Sequence, residues 1–231
     1  MNRKVLKTVF LDTVPVMTGY LFLGAAFGIL LAEKTGHGIG WSIAMAVFMF
    51  AGSAQYLAVS LIASHASIIS AAIATLLLNA RHIFYGISLL DTYKGAGKRK
   101  PYLISALTDE TYCLVTQNQP PEGMSKLQYC FLVSLLNHIY WIVGCSLGNV
   151  VRAALPISFE GVDFVLTALF VTMFVEQWLS NKNHLPAIIG VVVTVLCLAI
   201  FGKDIFLIPS MVLIAVLLTV TRKTGRRHEN A

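Results

Sequence analysis

Apolar residues in this chain come in long blocks, and most polar residues fall between the blocks rather than alternating within them. Eight blocks stand out: Val14–Leu31, Trp41–Ala63, Ile68–Leu90, Tyr102–Thr116, Leu127–Leu147, Asp163–Trp178, Leu185–Phe201 and Ile205–Val220. At ~1.5 Å per residue a helix of about 20 residues spans ~30 Å, the thickness of a bilayer's hydrocarbon core. Blocks this long and uniform predict membrane-spanning helices. The short alternating segments of an outer-membrane barrel are absent. The connections are short and turn-rich, as in Lys34-Thr35-Gly36-His37-Gly38, Asn118-Gln119-Pro120-Pro121-Glu122-Gly123 and Ser180-Asn181-Lys182-Asn183-His184. The expected fold is an all-α polytopic membrane protein, with residues 1–231 forming one membrane domain. The first block follows a basic start, as a signal peptide would, but its length and the spans after it read as a retained helix.

Three blocks are interrupted by polar residues near their middle. In Trp41–Ala63 the interruption is Gly52-Ser53-Ala54-Gln55-Tyr56. Gly and small residues let a helix open there and present backbone amides, while Ser53, Gln55 and Tyr56 add side-chain hydrogen bonds. Close helix packing through small residues is the plainer reading. Ile68–Leu90 carries Asn79, Arg81 and His82 near its centre. A charge near the middle of a spanning helix costs about 2.5–3.5 kcal/mol even on lenient scales, so it faces a cavity or a partner. The planar fork of Arg81 suits a carboxylate; the bland alternative pairs it with Asp109 or Glu110. Leu127–Leu147 carries Asn137, His138, Tyr140 and Trp141.

Asp109 and Glu110 lie in the fourth block, which is short. In a partly dry site either carboxylate holds its proton more readily than in water, which suits proton coupling; in a wet interfacial segment neither has a role. Adjacent residues of a helix point about 100° apart, so only one acid faces the cavity, and Asp109 is the one favoured. Glu176-Gln177-Trp178 closes the sixth block and reads as an interfacial anchor, with Glu176 the next candidate acid.

Only 12% of the residues are charged and 57% are hydrophobic, against roughly 25% charged in a soluble domain. The net charge of +6 does not imply nucleic-acid binding. Most of the basic residues sit in three clusters: Arg3, Lys4, Lys7; Lys94, Lys98, Arg99, Lys100; and Arg222, Lys223, Arg226, Arg227. Such clusters mark cytoplasmic ends. Eight simple crossings with a cytoplasmic N-terminus would put the middle cluster outside. Six full crossings, with the second and fourth blocks broken or re-entrant, put all three inside together with both termini. Both topologies remain open at this stage.

A short internal repeat bears on the choice. Leu77-Leu78-Asn79…Gly86-Ile87-Ser88-Leu89 aligns without gaps to Leu135-Leu136-Asn137…Gly144-Cys145-Ser146-Leu147. Upstream, Tyr56-x-x-Val59-Ser60 resembles Tyr112-x-x-Val115-Thr116, at an offset different by two. With six crossings the two copies run in opposite directions, each with a broken segment, which is a recurring transporter plan.

The four cysteines, Cys113, Cys130, Cys145 and Cys197, show no CxxC spacing and read as small packing residues rather than disulfides or metal ligands. Gly24-x-x-x-Gly28 and Gly144-x-x-x-Gly148 permit close helix contact, within the chain or with a second subunit. HExxH, GxSxG, Walker A and GxGxxG are absent, so no enzyme and no cofactor is indicated. The residues alone leave a secondary transporter, a channel or ion-conducting protein, and a membrane scaffold as the function classes.

Phe50-Ala51-Gly52-Ser53-Ala54-Gln55-Tyr56, Leu77-Leu78-Asn79-Ala80-Arg81-His82-x-x-Tyr85-Gly86, Leu107-Thr108-Asp109-Glu110 and Asn137-His138-x-Tyr140-Trp141-x-x-Gly144 together resemble the AzlC family, over nearly the whole chain. Tyr56 and Ala80 stand where that family more often has Phe and Leu; the polar positions are intact. The resemblance implies the large subunit of a bacterial cytoplasmic-membrane exporter of valine, leucine, isoleucine and sometimes methionine, working with a small hydrophobic AzlD-type subunit. A substrate or ion pathway is then expected along Gly52, Ser53, Gln55, Tyr56, Asn79, Arg81, His82, Asp109, Glu110, Asn137 and His138, with Phe50 and Phe84 lining an apolar pocket.

Overall fold

A computed structural model describes residues 3–79, 81–155, 163–180, 184–202, 206, 209–210, 212–214 and 216–218. Every regular element among them is helical. The helices are α1 (Arg3–Thr35), α2 (Ile39–Phe48), α3 (Gly52–Ala63), α4 (Ile68–Asn79), α5 (Arg81–Ser88), α6 (Lys100–Ser105), α7 (Asp109–Gln117), α8 (Lys126–Ala154), α9 (Asp163–Ser180) and α10 (Leu185–Phe201). The chain forms two compact units, residues 1–166 and 167–231. The eighth block, Ile205–Val220, is described only in part, and the basic cluster at 222–227 lies outside the described residues.

Among the described helices, α1 and α8 are long and apolar enough to cross a membrane, over Val5–Thr35 and Lys126–Ala154. Helix α1 starts well before the apolar block that announces it. Asp12 and Thr13 do not stop it, because each has a partner on α8: Tyr129 Oη donates to Asp12 Oδ2 at 3.0 Å, and Thr13 Oγ1 lies 3.1 Å from Tyr140 Oη. Pro15 is carried inside the helix, where it leaves one intrahelical bond unmade. Helix α8 begins at a full capping box, Ser125 with Gln128, which satisfies two of its first amides.

These two helices form the most extensive contact of the first unit, and glycine makes it. A Cβ on Gly144 would stand 2.6 Å from Tyr20 O, and one on Gly24 2.9 Å from the Cys145 nitrogen. Side chains at Gly28 and Gly148 would run into the Cys145 and Ala25 carbonyls. Both small-residue motifs therefore face each other inside the chain. Arg152 and Glu33 close the far end of the pair with an ion pair.

The second and fourth blocks are both broken, as the polar interruptions suggested. Between α2 and α3 the backbone leaves the helix at Phe50, whose φ is 25°, a region costly for a bulky side chain. Between α6 and α7 it turns at Ala106–Thr108. Both broken segments pack on α8.

The outer surface is apolar. Phe48 is 89% exposed, Ile68 88% and Leu179 79%, which suits contact with lipid better than water. Within the second unit, α9 and α10 enclose a groove of about 530 Å³ lined by Phe174, Trp178, Leu179, Ile188, Val191 and Val192. Trp178 stacks on His184 at 4.1 Å. Cys130, Cys145 and Cys197 are buried as packing residues, whereas Cys113 is exposed.

The glycine contact yields a stability prediction. Gly148→Ala should lower the melting temperature of the detergent-solubilised protein, since overpacking against fixed backbone costs about 1–3 kcal/mol. Gly190→Ala, where nothing lies within 4 Å of the added carbon, should be neutral or stabilising by up to ~1 kcal/mol. Equal melting temperatures for the two variants would contradict the backbone-to-backbone seam.

Candidate functional site

The two breaks meet at the middle of α8, opposite Tyr20 of α1. The ring of Tyr20 packs edge-on against Phe50, at 6.4 Å between centroids, and against Trp141, at 5.2 Å. Its hydroxyl lies 2.7 Å from Thr108 Oγ1 and donates to Glu110 Oε2 at 2.6 Å. One α1 side chain therefore touches both interruptions.

At the second break Thr108 is the N-cap of α7 and accepts from the Thr111 amide, which supplies one of the bonds a helix start lacks. The Thr108 hydroxyl also reaches Thr111 Oγ1 at 3.0 Å. Asn137 Nδ2 donates to that same Thr111 oxygen at 3.0 Å. Asp109 and Glu110 occupy the first turn of α7, where the helix dipole favours negative charge.

The first break is built differently. Helix α3 starts at Gly52 behind Ala51, which has no side chain able to cap it. A Cβ on Gly52 would sit 3.1 Å from the Trp141 ring, so the glycine makes room for the indole. Trp141 Nε1 donates to Gln55 Oε1 at 2.7 Å. Indole nitrogen can only donate, which fixes the Gln55 amide with Nε2 turned away. Gln55 is fully buried, and its Nε2 has no partner among the described residues. Asn137 Oδ1 and Ser134 Oγ, on the same helix as Trp141, are likewise buried without one. Buried polar groups in that condition are uncommon and call for an explanation.

His138 braces the break from the other side. Its ring stacks on Phe50 at 4.2 Å with 19° between planes, which holds Phe50 at its unusual φ. Nε2 lies 3.2 Å from the Ala46 carbonyl, and Nδ1 lies 3.2 Å from the Tyr102 hydroxyl. A carbonyl only accepts, so the proton sits on Nε2, and a neutral ring satisfies both bonds.

The structure thus brings Gly52, Gln55, Glu110, Asn137 and His138 into one cluster. Ser53 is buried in the first turn of α3. Tyr56 turns aside, its hydroxyl donating to Leu23 O at 2.7 Å. His82 Nδ1 lies 3.1 Å from the Asn79 carbonyl. Asn79 Oδ1 is buried and has no partner among the described residues. The side chains of Arg81, Phe84 and Glu176 lie outside the described residues. The hydrogen-bonding roles of Tyr20, Thr108 and Thr111 are not apparent from sequence. A tyrosine inside an apolar helix was the available signal, since a buried hydroxyl needs a partner.

Two interrupted segments gathered on long apolar helices around a buried polar cluster define a helical membrane protein with a polar centre. A model of the AzlC protein family matches residues 15–155. The chain is 40% identical over 227 residues to the branched-chain amino acid transport protein AzlC of Bacillus subtilis, covering 96% of this chain and 87% of that one. It is 40% identical over 220 residues to an uncharacterized membrane protein of Helicobacter pylori, covering 95% and 96%. It is 24% identical over 215 residues to the inner membrane protein YgaZ of Escherichia coli, covering 89% and 84%. The chain belongs to the AzlC family. No solved structure matches it.

The Tyr20 bridge can be tested without any transport assay. A double-mutant cycle of Tyr20→Phe with Glu110→Gln, read by thermal unfolding, should give a coupling of about 1 kcal/mol or more, as expected for a hydrogen bond to a charged acceptor. Tyr20→Phe with Asp109→Asn should couple by less. The reverse order would place the α1 contact on Asp109.

Proposed function

We propose that this chain is a membrane transport protein that exports branched-chain amino acids across the bacterial cytoplasmic membrane as the larger partner of a small hydrophobic AzlD-type subunit. The observation that carries this is the 40% identity to the Bacillus transport protein over 96% of the chain. On this reading, the whole chain acts as a single transport domain. The cluster at the two helix breaks supports a mechanism. Unwound backbone is tolerated at membrane depth only where it is buried in protein or lines a cavity, and discontinuous helices in transporters present their ends to substrate and ion.

A branched-chain amino acid is a zwitterion with an apolar tail. Arg81 or the exposed amides of the first turn of α3 serve its carboxylate. Asp109 or Glu110 serves the ammonium or the coupling proton, and Phe50 and Phe84 line the pocket for the tail. Protonation of Glu110 would weaken its acceptance from Tyr20 and leave that hydroxyl with Thr108, loosening one contact between α1 and α7. Proton uptake would in this way be felt at both breaks.

Counterflow of labelled leucine into proteoliposomes, with and without the small subunit, tests the function. Wild-type protein should show saturable, stereoselective uptake. Arg81→Ala should lose at least tenfold at equal membrane abundance, and Arg81→Lys should also be poor, because a point charge does not reproduce the guanidinium fork. Linear, non-saturating flux would favour a channel; no flux from active preparations would remove the transport reading.

The proposed topology has six crossings, with the Lys94–Lys100 segment and both termini cytoplasmic. A single cysteine at Lys98, in a Cys113→Ser background, should resist an impermeant maleimide in intact cells and react once the membrane is opened. Labelling from outside would refute this topology.

A further inference from the structure

The two broken segments correspond in the internal repeat, and an asparagine Oδ1 is buried without a partner among the described residues in each, yet the helix start is capped by a side chain in only one of them. The repeat sets Tyr56 against Tyr112 and Asn79 against Asn137. The same offsets set Gln55 against Thr111. In the second half the pair is joined, Asn137 Nδ2 donating to Thr111 Oγ1 at 3.0 Å, and the start of α7 is capped by Thr108. In the first half the start of α3 has no side-chain cap. There Gln55 Nε2 and Asn79 Oδ1 are both buried without a partner among the described residues.

The connectivity of the first half bears on where these groups lie. Helices α3 and α4 have 12 residues each, pack against each other, and are joined through Ser64–Ser67. An αα-hairpin, a common arrangement for two helices joined by so short a turn, would return the chain at Asn79 to the level where α3 begins, as Asn137 meets Thr111 in the other half. Gln55 is held in the first turn of α3 by its bond to Trp141, and the same indole lies over Gly52. A donor amide and an uncapped helix N-terminus thus share the first turn of α3, and α4 ends in the acceptor amide of Asn79. Such a terminus is a ready anion site.

We propose that the first turn of α3 is the half of the repeat reserved for ligand, and that it takes the polar head of an α-amino acid. The ligand carboxylate occupies the place that the Thr108 hydroxyl fills at α7, accepting from the α3 terminus. Gln55 Nε2 donates to the same carboxylate, and Asn79 Oδ1 accepts from the ligand ammonium. In the second half, its structural counterpart, Thr108 caps the helix start and Asn137 Nδ2 is spent on Thr111, so the donors that would meet a carboxylate are taken even though Asn137 Oδ1 is unpartnered among the described residues; of the two roles open to Asp109 and Glu110 this leaves the coupling proton. Trp141 covers the site and orients Gln55 without itself touching the head group. This assignment rests on the amino-acid transport reading above and narrows it to one side of the pseudo-symmetric pair.

The test uses the full-length protein, purified with its small subunit where that subunit co-purifies, and three probes of one skeleton: leucine, leucinamide and 4-methylpentanoate. Leucinamide lacks the carboxylate and 4-methylpentanoate lacks the ammonium. Affinities are read by thermal shift or calorimetry, and leucine counterflow is measured on the same preparations. Gln55→Glu should weaken leucine and 4-methylpentanoate at least tenfold and spare leucinamide. Asn79→Leu should weaken leucine and leucinamide at least tenfold and spare 4-methylpentanoate. Gln55→Met, which keeps the volume and removes the donor, guards against misfolding of the charged variant and should follow the same selectivity. Trp141→Phe removes the indole bond that orients Gln55, so it should weaken leucine and 4-methylpentanoate more than leucinamide, by less than either Gln55 variant does. Wild-type discrimination among the probes retained in both Gln55 variants and in Asn79→Leu, with counterflow intact, overturns the site and leaves the transport function standing. Absence of both binding and counterflow for leucine in the wild type overturns the function and this site with it.

Discussion

The contact on which the rest of the first unit depends is the glycine seam between α1 and α8. At Gly24, Gly28, Gly144 and Gly148 any added carbon would meet the backbone of the other helix, so the two axes approach as closely as polypeptide allows. In a bilayer, where lipid tails are as apolar as leucine, close packing of this kind is a main source of helix association. The seam also sets register. It fixes Tyr20 on one side and Asn137, His138 and Trp141 on the other, and these four side chains hold the two interrupted segments. A change of spacing at the seam would misplace every hydrogen bond of the cluster at once.

The cluster answers a specific difficulty. Each break frees backbone groups that hydrocarbon cannot satisfy. At Ala106–Thr108 the protein supplies the remedy itself, through the Thr108 cap and the Thr111–Asn137 bond. At Phe50 the remedy is costlier: a bulky residue at positive φ, clamped by the His138 ring. Backbone held in a sparsely populated region persists only where its surroundings impose it. Here the imposing groups come from α1, α6 and α8 together.

Much of this was legible in the sequence. Period and length gave the helical membrane class. The polar interruptions at Gly52–Tyr56 and Asp109–Glu110 marked the two blocks that the structure shows to be broken. The motif residues of the second, third and fifth blocks pointed to the AzlC family. What could not be read was pairing. Tyr56 looked like a pathway residue, but its hydroxyl is spent on the Leu23 carbonyl. Tyr20 looked like part of an apolar run, but it touches both breaks. The extent of α1 was also hidden, because Asp12 and Thr13 stop a helix by local rules and are excused by partners on α8. Local pattern carries the type of an element; the partner of a polar side chain is a tertiary fact.

Those long-range partners have a consequence for how the protein is made. Asp12 waits for Tyr129, 117 residues later, Thr13 for Tyr140, 127 residues later, and Tyr20 for Thr108 and Glu110, 88 and 90 residues later. At a synthesis rate of about 5–20 residues per second, α1 emerges some 5–25 s before the groups that satisfy it. Through that interval Asp12 and Tyr20 lack the partners they have in the folded protein, while the Thr13 hydroxyl already has the Phe10 carbonyl. The polar contacts of α1 are thus completed late in biogenesis, once α7 and α8 have been made.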